Sequence, residues 1–314
     1  MGNAKKRSGS VASMLPVLLA CSFTASFGQS MMNVALPELA ERFGVTLSIA
    51  NWVIVGYMVV AATAIMLSAF MLRRLGLRRV FFVGAGALAL GSACALLSQD
   101  FPMLFASRLV QAVGTGLFFP SVTSVIMTNS PAAVRGTRLA LNSGVIAVGL
   151  AISPTASGFA LTQFGWRAMF VVSLAMSVAL LAVGFFRIHG GPSTKRVPID
   201  ALSVMLGPLG LAAFLYGLGE VTRDLAPSLA ALAVGAVLLA LFAWRQFALE
   251  SPLLDLHPLV HPRFAVGILL VMVGMLTSFS MSILLPLYYE GALGYTAFFA
   301  GLLLLGPVLV NAAF

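Results

Sequence analysis

The sequence predicts an all-α membrane protein, a polytopic bundle of about ten transmembrane helices. Hydrophobic residues make up 60% of the chain and charged residues only 9%, whereas a soluble globular domain usually has about a quarter charged residues. Nearly uncharged runs of about 18 residues or more recur along the whole chain, and a helix needs about 20 apolar residues to cross the bilayer core. Because these runs are apolar on every face, an outer-membrane barrel is excluded.

We number the predicted membrane segments 1 to 10 in chain order. They cover residues 14–36, 50–72, 80–98, 102–127, 138–162, 167–186, 201–219, 227–244, 264–288 and 296–314. Segment 1 follows Lys5, Lys6 and Arg7 and so resembles a signal peptide. It is too long for the hydrophobic part of such a peptide, however, and it leads into a second span. We therefore expect it to be retained as the first helix.

Breaks between the apolar runs divide the chain into four parts. Residues 1–187 form an N-terminal six-helix half, and residues 188–199 are a polar stretch rich in Gly and Pro that we expect to be a cytoplasmic linker. Residues 200–247 hold an inserted helix pair. Residues 248–314 begin a second half with two helices, so the second half of the bundle is expected to be incomplete.

The net charge of +9 at pH 7 is explained by where the basic residues lie. Of the 18 lysines and arginines, 14 lie in the N-terminus or the even-numbered loops, 3 lie in the odd-numbered loops, and Arg108 lies well inside a segment. Arg138 and Arg167, the first residues of segments 5 and 6, are counted with the loops that precede them. By the positive-inside rule, the N-terminus and the even-numbered loops are cytoplasmic. We therefore expect a multi-pass protein of the inner or plasma membrane whose partner is the lipid bilayer, and no nucleic-acid partner.

The sequence offers no enzyme or metal site. Cys21 and Cys94 are the only cysteines, and both lie in apolar segments, so neither a disulfide framework nor a metal cluster is expected. Gly114, Thr115 and Gly116 are only a fragment of a dinucleotide fingerprint, and they lie in mid-membrane without a preceding strand. We expect no catalytic activity and no cofactor.

The loop after segment 2 is a short basic turn with Gly76, Arg78 and Arg79. It resembles the cytoplasmic loop motif of the major facilitator superfamily, which implies a role in gating between segments 2 and 3. A simple positive-inside anchor explains the same residues. The family pattern usually has a glycine and an aspartate where this chain has Ala69 and Arg73, which puts a gating salt bridge to that aspartate in doubt.

Segment 4 holds Arg108 about two turns inside an apolar run, with Gln111 and Thr115 on the same helix face. An embedded arginine costs roughly 2.5 to 3.5 kcal/mol on insertion scales, so we expect it to face a polar cavity or a partner. Snorkelling to the outer headgroups is the alternative. The stretch through Gly114 and Gly116 resembles the helix 4 motif of the superfamily. Because arginine stays protonated, Arg108 is expected to hold an anionic substrate group or a carboxylate.

Segment 5 contains a ladder of small residues, Gly149, Ser153 and Ser157, with Pro154 and Gly158 beside it. Small residues four apart permit close helix approach, and the proline removes one helix hydrogen bond. The stretch resembles the antiporter-associated helix 5 motif, with serines in place of two glycines. The resemblance implies a pivot between two halves, and static helix packing is the alternative.

The end of segment 1, from Phe27 to Pro37, is the most family-selective stretch. Asn33 to Pro37 resembles the helix 1 signature of the 14-spanner drug/proton antiporter family. Trp166 and Arg167 after segment 5 and the inserted helix pair agree with that family. The resemblance covers nearly the whole chain, and it implies proton-driven efflux of amphipathic or cationic compounds.

Segment 1 departs from this family at one position, because the family commonly has an aspartate where this chain has Gly28. The segment retains a polar stripe of Ser22, Ser26, Gln29 and Asn33 at helical spacing. These side chains are able to line a cavity, but they cannot carry a proton at neutral pH.

None of the 9 acidic residues lies deep in a segment. Glu220 and Glu290, near the outer ends of segments 7 and 9, are the nearest candidates for a coupling carboxylate. A solvated carboxylate at the membrane interface is the alternative for each.

These features together predict a secondary active transporter that binds a small-molecule substrate between two halves and uses alternating access. The resemblance adds the proton as the coupling ion and drugs as the substrates. A facilitator for a specific metabolite, without a carboxylate in segment 1, is the second hypothesis. A truncated remnant without transport activity is the third.

Overall fold

The structure is a computed structural model of the chain, and it describes residues 2–188, 200–221, 224–249 and 252–288. Within these ranges the regular structure is helical. The α-helices are α1 Gly2–Ser30, α2 Leu36–Phe43, α3 Leu47–Leu75, α4 Leu77–Leu96, α5 Phe101–Asn129, α6 Ala132–Phe164, α7 Arg167–Arg187, α8 Ala201–Glu220, α9 Leu225–Ala248 and α10 Pro262–Leu287. Short 3-10 turns span Met31–Val34 and His257–Val260.

The predicted all-α membrane fold is confirmed. In the described part of the chain, eight helices are long and apolar enough to cross a membrane, namely α1 with its following turn and α3 to α9. Predicted segments 1 to 9 coincide with α1 and α3 to α10. Most ends differ by a few residues, but α1 begins at Gly2, well before residue 14. Segment 10 lies outside the described residues, as does nearly all of the linker, and the four-part division stays a prediction.

Capping residues and glycines determine where several helices begin and end. The Thr46 hydroxyl accepts a hydrogen bond from the Ile49 amide at 3.3 Å at the start of α3, and the Asp100 carboxylate does the same for α5. Both satisfy backbone donors that lack a partner in the first helical turn. Gly76 joins α3 to α4 with a φ of +79°, a conformation that glycine adopts without the steric cost of a side chain.

The two largest apolar clusters among the described residues have a polar layer between them. One cluster joins the first half of α1, the start of α4 and the ends of α5 and α7, and includes Leu18, Leu88 and Phe118. The other joins the end of α1, the start of α5 and the start of α7, and includes Met31 and Phe170. The residues of α1, α4, α5 and α7 that lie between these clusters supply buried polar side chains.

Helices α8 and α9 pack as a hairpin against α3. Trp52 of α3 stacks on Tyr216 of α8 with ring centroids 5.8 Å apart. The Ser48 hydroxyl donates a hydrogen bond to Glu220 Oε1 at 2.7 Å. At the opposite end of α8, Asp200 binds Arg245 of α9. The pair is therefore fastened to the six-helix part through α3.

Candidate functional site

Arg108 lies at the centre of the polar layer. It is the largest fully buried side chain in the described part of the chain, with 0% exposure. Its Nη1 donates hydrogen bonds to the Gly28 carbonyl of α1 at 3.1 Å and to Gln111 Oε1 at 2.7 Å. The guanidinium therefore points into the bundle and contacts α1, rather than reaching toward an interface.

Tyr57 of α3 packs against the guanidinium. The guanidinium carbon of Arg108 lies 4.1 Å from the centre of the Tyr57 ring, within the range of a cation–π contact. The Tyr57 hydroxyl shares a hydrogen bond of 2.5 Å with Thr115 Oγ1 of α5. Because Tyr57 is itself buried, this contact fixes the plane of the ring beside the charge.

Gln111 connects Arg108 to the far side of the bundle. While its carbonyl oxygen accepts from Arg108, its Nε2 donates to Ser92 Oγ of α4 at 2.7 Å. Ser92 in turn contacts Ser173 Oγ of α7 at 3.1 Å. Since an amide has one donating and one accepting end, Ser92 fixes the end of Gln111 that faces the guanidinium.

Helix α6 lies close to α1 along the ladder of small residues. Ser153 Oγ donates to the Phe27 carbonyl at 2.7 Å. A Cβ built on Gly149 would lie 2.0 Å from Ser26 Oγ, so α1 and α6 touch at that level. Ser157 is buried, and its hydroxyl has no partner among the described residues. Pro154 lies inside α6 between these contacts.

Gly158, beside the ladder, packs more loosely than Gly149 or the two glycines of the helix 4 motif. A Cβ on Gly158 would meet only Val34, at an ordinary 3.7 Å. A Cβ on Gly114 or Gly116 would lie 2.5 Å or less from a backbone oxygen of a neighbouring helix. The two α5 glycines therefore define the close approach of α5 to α4 and α3.

The remaining predicted substrate or coupling residues make no hydrogen bond to Arg108 in the described structure, although Gln29 follows Gly28, whose carbonyl does. Gln29 is half-buried, and Asn33 is exposed in the 3-10 turn after α1. Glu220 ends α8 and contacts Ser48, and Glu290 lies outside the described residues.

The basic turn between α3 and α4 lies at the end of the bundle, with Arg78 and Arg79 exposed beside the buried Gly76. The Arg78 guanidinium lies 6.0 Å from the Phe82 and Phe185 ring centroids. Its contacts join α4 to α7.

A model of the Major Facilitator Superfamily matches residues 18–314. The chain belongs to this superfamily. Its relatives include the lincomycin resistance protein LmrB of Bacillus subtilis, which is 32% identical over 95% of this chain and 63% of its own length. The methylenomycin A resistance protein of Streptomyces coelicolor is 29% identical over 90% of this chain and 60% of its own. The multidrug export protein EmrB of Escherichia coli K12 is 27% identical over 92% of this chain and 57% of its own length.

Solved structures of the superfamily share the fold. The proton:xylose symporter XylE bound to 6-bromo-6-deoxy-D-glucose has a TM-score of 0.55 and 17% identity, covering 98% of this chain and 68% of that one. A peptide transporter POT in complex with sulfate has a TM-score of 0.52 and 18% identity, covering 88% and 52%. The chain spans between 57% and 63% of the length of the three curated relatives named above.

Membership of the superfamily explains the predicted motifs but not the whole polar layer. Arg108 and Gln111 were found by their place in the helix 4 motif, whereas Ser92 and Ser173 were missed. Each is one of two serines in an otherwise apolar run, and no motif includes it. Sequence spacing relates residues of one helix, while Ser92 and Ser173 lie on two helices other than that of Gln111.

Proposed function

We propose that the full-length protein is a secondary active transporter that exports amphipathic small molecules by alternating access, with the proton as its coupling ion. The observation that carries this proposal is the buried polar layer around Arg108. A superfamily transporter binds its substrate near the middle of the membrane, between its halves. A charged, hydrogen-bonded layer between two apolar clusters is the kind of environment that such a binding site needs.

The printed names of the relatives support drug efflux. LmrB and the methylenomycin A protein are resistance proteins, and EmrB is a multidrug export protein. Amphipathic compounds suit the site, because an aromatic ring such as that of Tyr57 lies next to polar groups. The proposed location is the cell membrane, with a cytoplasmic N-terminus.

The contact between α1 and α6 supports movement of α6 relative to α1 in this proposal. Gly149 and Ser153 let the two helices touch, and the hydrogen bond of Ser153 goes to a backbone carbonyl of α1. Pro154, in the middle of α6, weakens the helix at that level. We infer that α6 pivots on α1 during the transport cycle.

One observation favours a second candidate function. Position 28 is a glycine, and none of the acidic residues in the described spans lies in a span interior. A facilitator for a specific metabolite, in which coupling does not depend on α1, fits that arrangement. Measuring flux with and without a proton gradient separates the two functions.

The test is ethidium retention in cells that lack their own exporters and express the full-length protein. Cells with wild-type protein should accumulate several-fold less ethidium than vector controls, and a protonophore should remove the difference. Ser153→Leu should accumulate as the vector control does, at equal membrane abundance, because the larger side chain forces α1 and α6 apart. Export that persists in protonophore would rule out proton coupling, and equal retention in wild-type and vector cells would rule out ethidium efflux.

A further inference from the structure

The guanidinium of Arg108 is hydrogen-bonded through only one of its three nitrogens. Nη1 binds Gly28 O and Gln111 Oε1, whereas Nε and Nη2 have no partner among the described residues. Nε and Nη2 lie on the same side of the planar group, with nearly parallel N–H bonds. This side is one of the two edges through which arginine binds a carboxylate with paired hydrogen bonds.

The positive charge of Arg108 is not neutralised within the described part of the chain. The oxygens that accept from Nη1 belong to a backbone carbonyl and an amide, and the Tyr57 ring is uncharged. A buried charge without a counter-ion is costly in a bilayer. An anion on the Nε–Nη2 edge would remove much of that cost.

Gly28 leaves room for a ligand beside the guanidinium. Its carbonyl is in contact with Nη1, so the residue lies directly next to Arg108. A Cβ added at this position would meet only Tyr57 Oη within 4 Å, at 3.9 Å. The space that a side chain at position 28 would occupy therefore lies beside the phenol hydroxyl, and its Cβ would be more than 4 Å from every atom of Arg108.

We propose that the Nε–Nη2 edge of Arg108 is a subsite for the carboxylate of the transported molecule, so that the protein prefers amphipathic carboxylates to neutral or cationic analogues. This inference rests on the transport function proposed above. Nη1 and the Tyr57 ring hold the guanidinium, the free edge pairs with the carboxylate, and the lack of a side chain at Gly28 leaves space beside the Tyr57 hydroxyl. Because both nitrogens are shielded from solvent here, the substrate reaches them in an open state of the transport cycle.

The first test compares two probes that differ only in the carboxylate, dansylglycine and dansylglycinamide. Their binding to the purified full-length protein is measured by energy transfer from tryptophan to the dansyl group. Wild-type protein should bind dansylglycine about tenfold or more tightly, because charge-assisted paired hydrogen bonds are worth that factor or more. Arg108→Gln should remove the preference, and Arg108→Lys should keep part of it, since lysine retains the charge without the paired geometry.

A second test uses two variants of equal size at position 28. In Gly28→Asp the new carboxylate is tethered next to Arg108 and should compete with the ligand, while Gly28→Asn adds the same bulk without charge. Dansylglycine should bind at least about tenfold more weakly to the Asp variant than to the Asn variant. The two variants should bind dansylglycinamide with nearly equal affinity. This comparison remains informative if Arg108→Gln fails to fold.

Equal affinity of wild-type protein for the two probes, or a preference that survives Arg108→Gln, would overturn the subsite. Ethidium and dansylglycine flux in proteoliposomes distinguishes this failure from failure of the proposed function. If ethidium is exported but the carboxylate preference is absent, transport stands and the subsite does not. If neither compound is transported but binding depends on Arg108 and on the charge at position 28, the subsite stands and transport does not.

Discussion

Two glycines of α5 show how single residues determine the packing around the site. A Cβ on Gly116 would lie 2.2 Å from the Ala61 carbonyl oxygen of α3, and a Cβ on Gly114 would lie 2.5 Å from the Gly84 carbonyl oxygen of α4. Both neighbours are backbone atoms, so a rotamer change cannot relieve the clash. Any larger residue at either position must move a helix.

We expect Gly116→Ala to destabilise the protein by about 1–3 kcal/mol, the usual cost of overpacking a tight contact. The matched control is Gly86→Ala in α4, because a Cβ there would meet nothing within 4 Å. The control should melt at the wild-type temperature or slightly above it, since alanine favours helix more than glycine does. Size-exclusion chromatography of heated, detergent-solubilised protein measures the melting temperatures of both variants. Equal melting temperatures for the two variants would contradict the close contact of α5 with α3.

At the scale of residues, the sequence predicted contacts between residues of the same helix. Arg108 and Gln111 are three residues apart, and they are hydrogen-bonded as their shared face suggested. Thr115 lies on the same face, but its hydroxyl contacts Tyr57 instead. The choice of Tyr57 as the partner depends on the crossing of α3 and α5, and spacing along one chain segment does not contain that information.

Among the helices, α8 and α9 are joined by a polar cluster at one end of their hairpin. The Asp200 carboxylate accepts two hydrogen bonds from Arg245, at 2.7 and 2.8 Å, and caps α8 by accepting from the Ser203 amide. Gln246 donates to Ser203 Oγ and accepts from the Leu254 amide, which adds the following loop. The Arg245 hydrogen bonds, with a contribution from Ser203, hold the pKa of the Asp200 carboxyl well below its usual value.

We expect the stabilising effect of Asp200 to depend on pH. A depressed folded-state pKa stabilises the protein above the unfolded-state pKa, about 3.9 for aspartate, and the effect is lost as the pH falls below that value toward the folded one. At pH 7, Asp200→Asn keeps a capping oxygen and should lower the free energy of unfolding by at most about 1 kcal/mol, while Asp200→Ala should lower it by about 1 kcal/mol more. The difference in the free energy of unfolding between wild type and Asp200→Asn should shrink below about pH 4.

The control for this experiment is Asp224→Asn. Asp224 precedes α9 as Asp200 precedes α8, but its side chain makes no capping hydrogen bond. Melting curves of the three variants and wild type between pH 7 and pH 3 give the comparison. A loss for Asp224→Asn as large as that for Asp200→Asn would show that the Asp200–Arg245 contact is not responsible.

Helix positions were predictable from the sequence, while several helix ends were not. Segment 5 was expected to begin at residue 138, but α6 begins at Ala132. Arg135 and Arg138 were counted as loop residues because of their charge, yet in the first turns of α6 they donate to the Ser130 carbonyl and hydroxyl. Segment 1 was expected to run to residue 36, but α1 ends at Ser30 and a 3-10 turn leads into α2.

On the scale of the whole molecule, the described helices form apolar layers with a polar layer between them. The two apolar clusters resemble ordinary buried cores, whereas the layer between them contains the charge, the amide and the hydroxyls. Long apolar runs predicted the membrane helices, but they did not predict this layer. Its polar side chains come from α1, α3, α4, α5 and α7, which meet only when the helices are assembled.

The orientation of the molecule in the membrane is testable by cysteine labelling. In a background without Cys21 and Cys94, single cysteines are placed at Ala133, in the first turn of α6, and at Pro227, in the first turn of α9. Both positions are exposed in the structure. The excess of basic residues predicts that position 133 faces the cytoplasm and position 227 the outside.

An impermeant thiol reagent added to intact cells should therefore label the cysteine at 227 and leave that at 133 unlabelled until the membrane is permeabilised. Leu97, exposed between α4 and α5, gives a second outer position that should behave as 227 does. One membrane helix separates position 97 from position 133, and three separate position 133 from position 227. The cysteines at 97 and 227 must therefore be labelled alike, and the cysteine at 133 oppositely, if the topology is correct. Labelling at 133 but not at 97 or 227 in intact cells would invert the orientation, and with it the direction in which the proposed site opens.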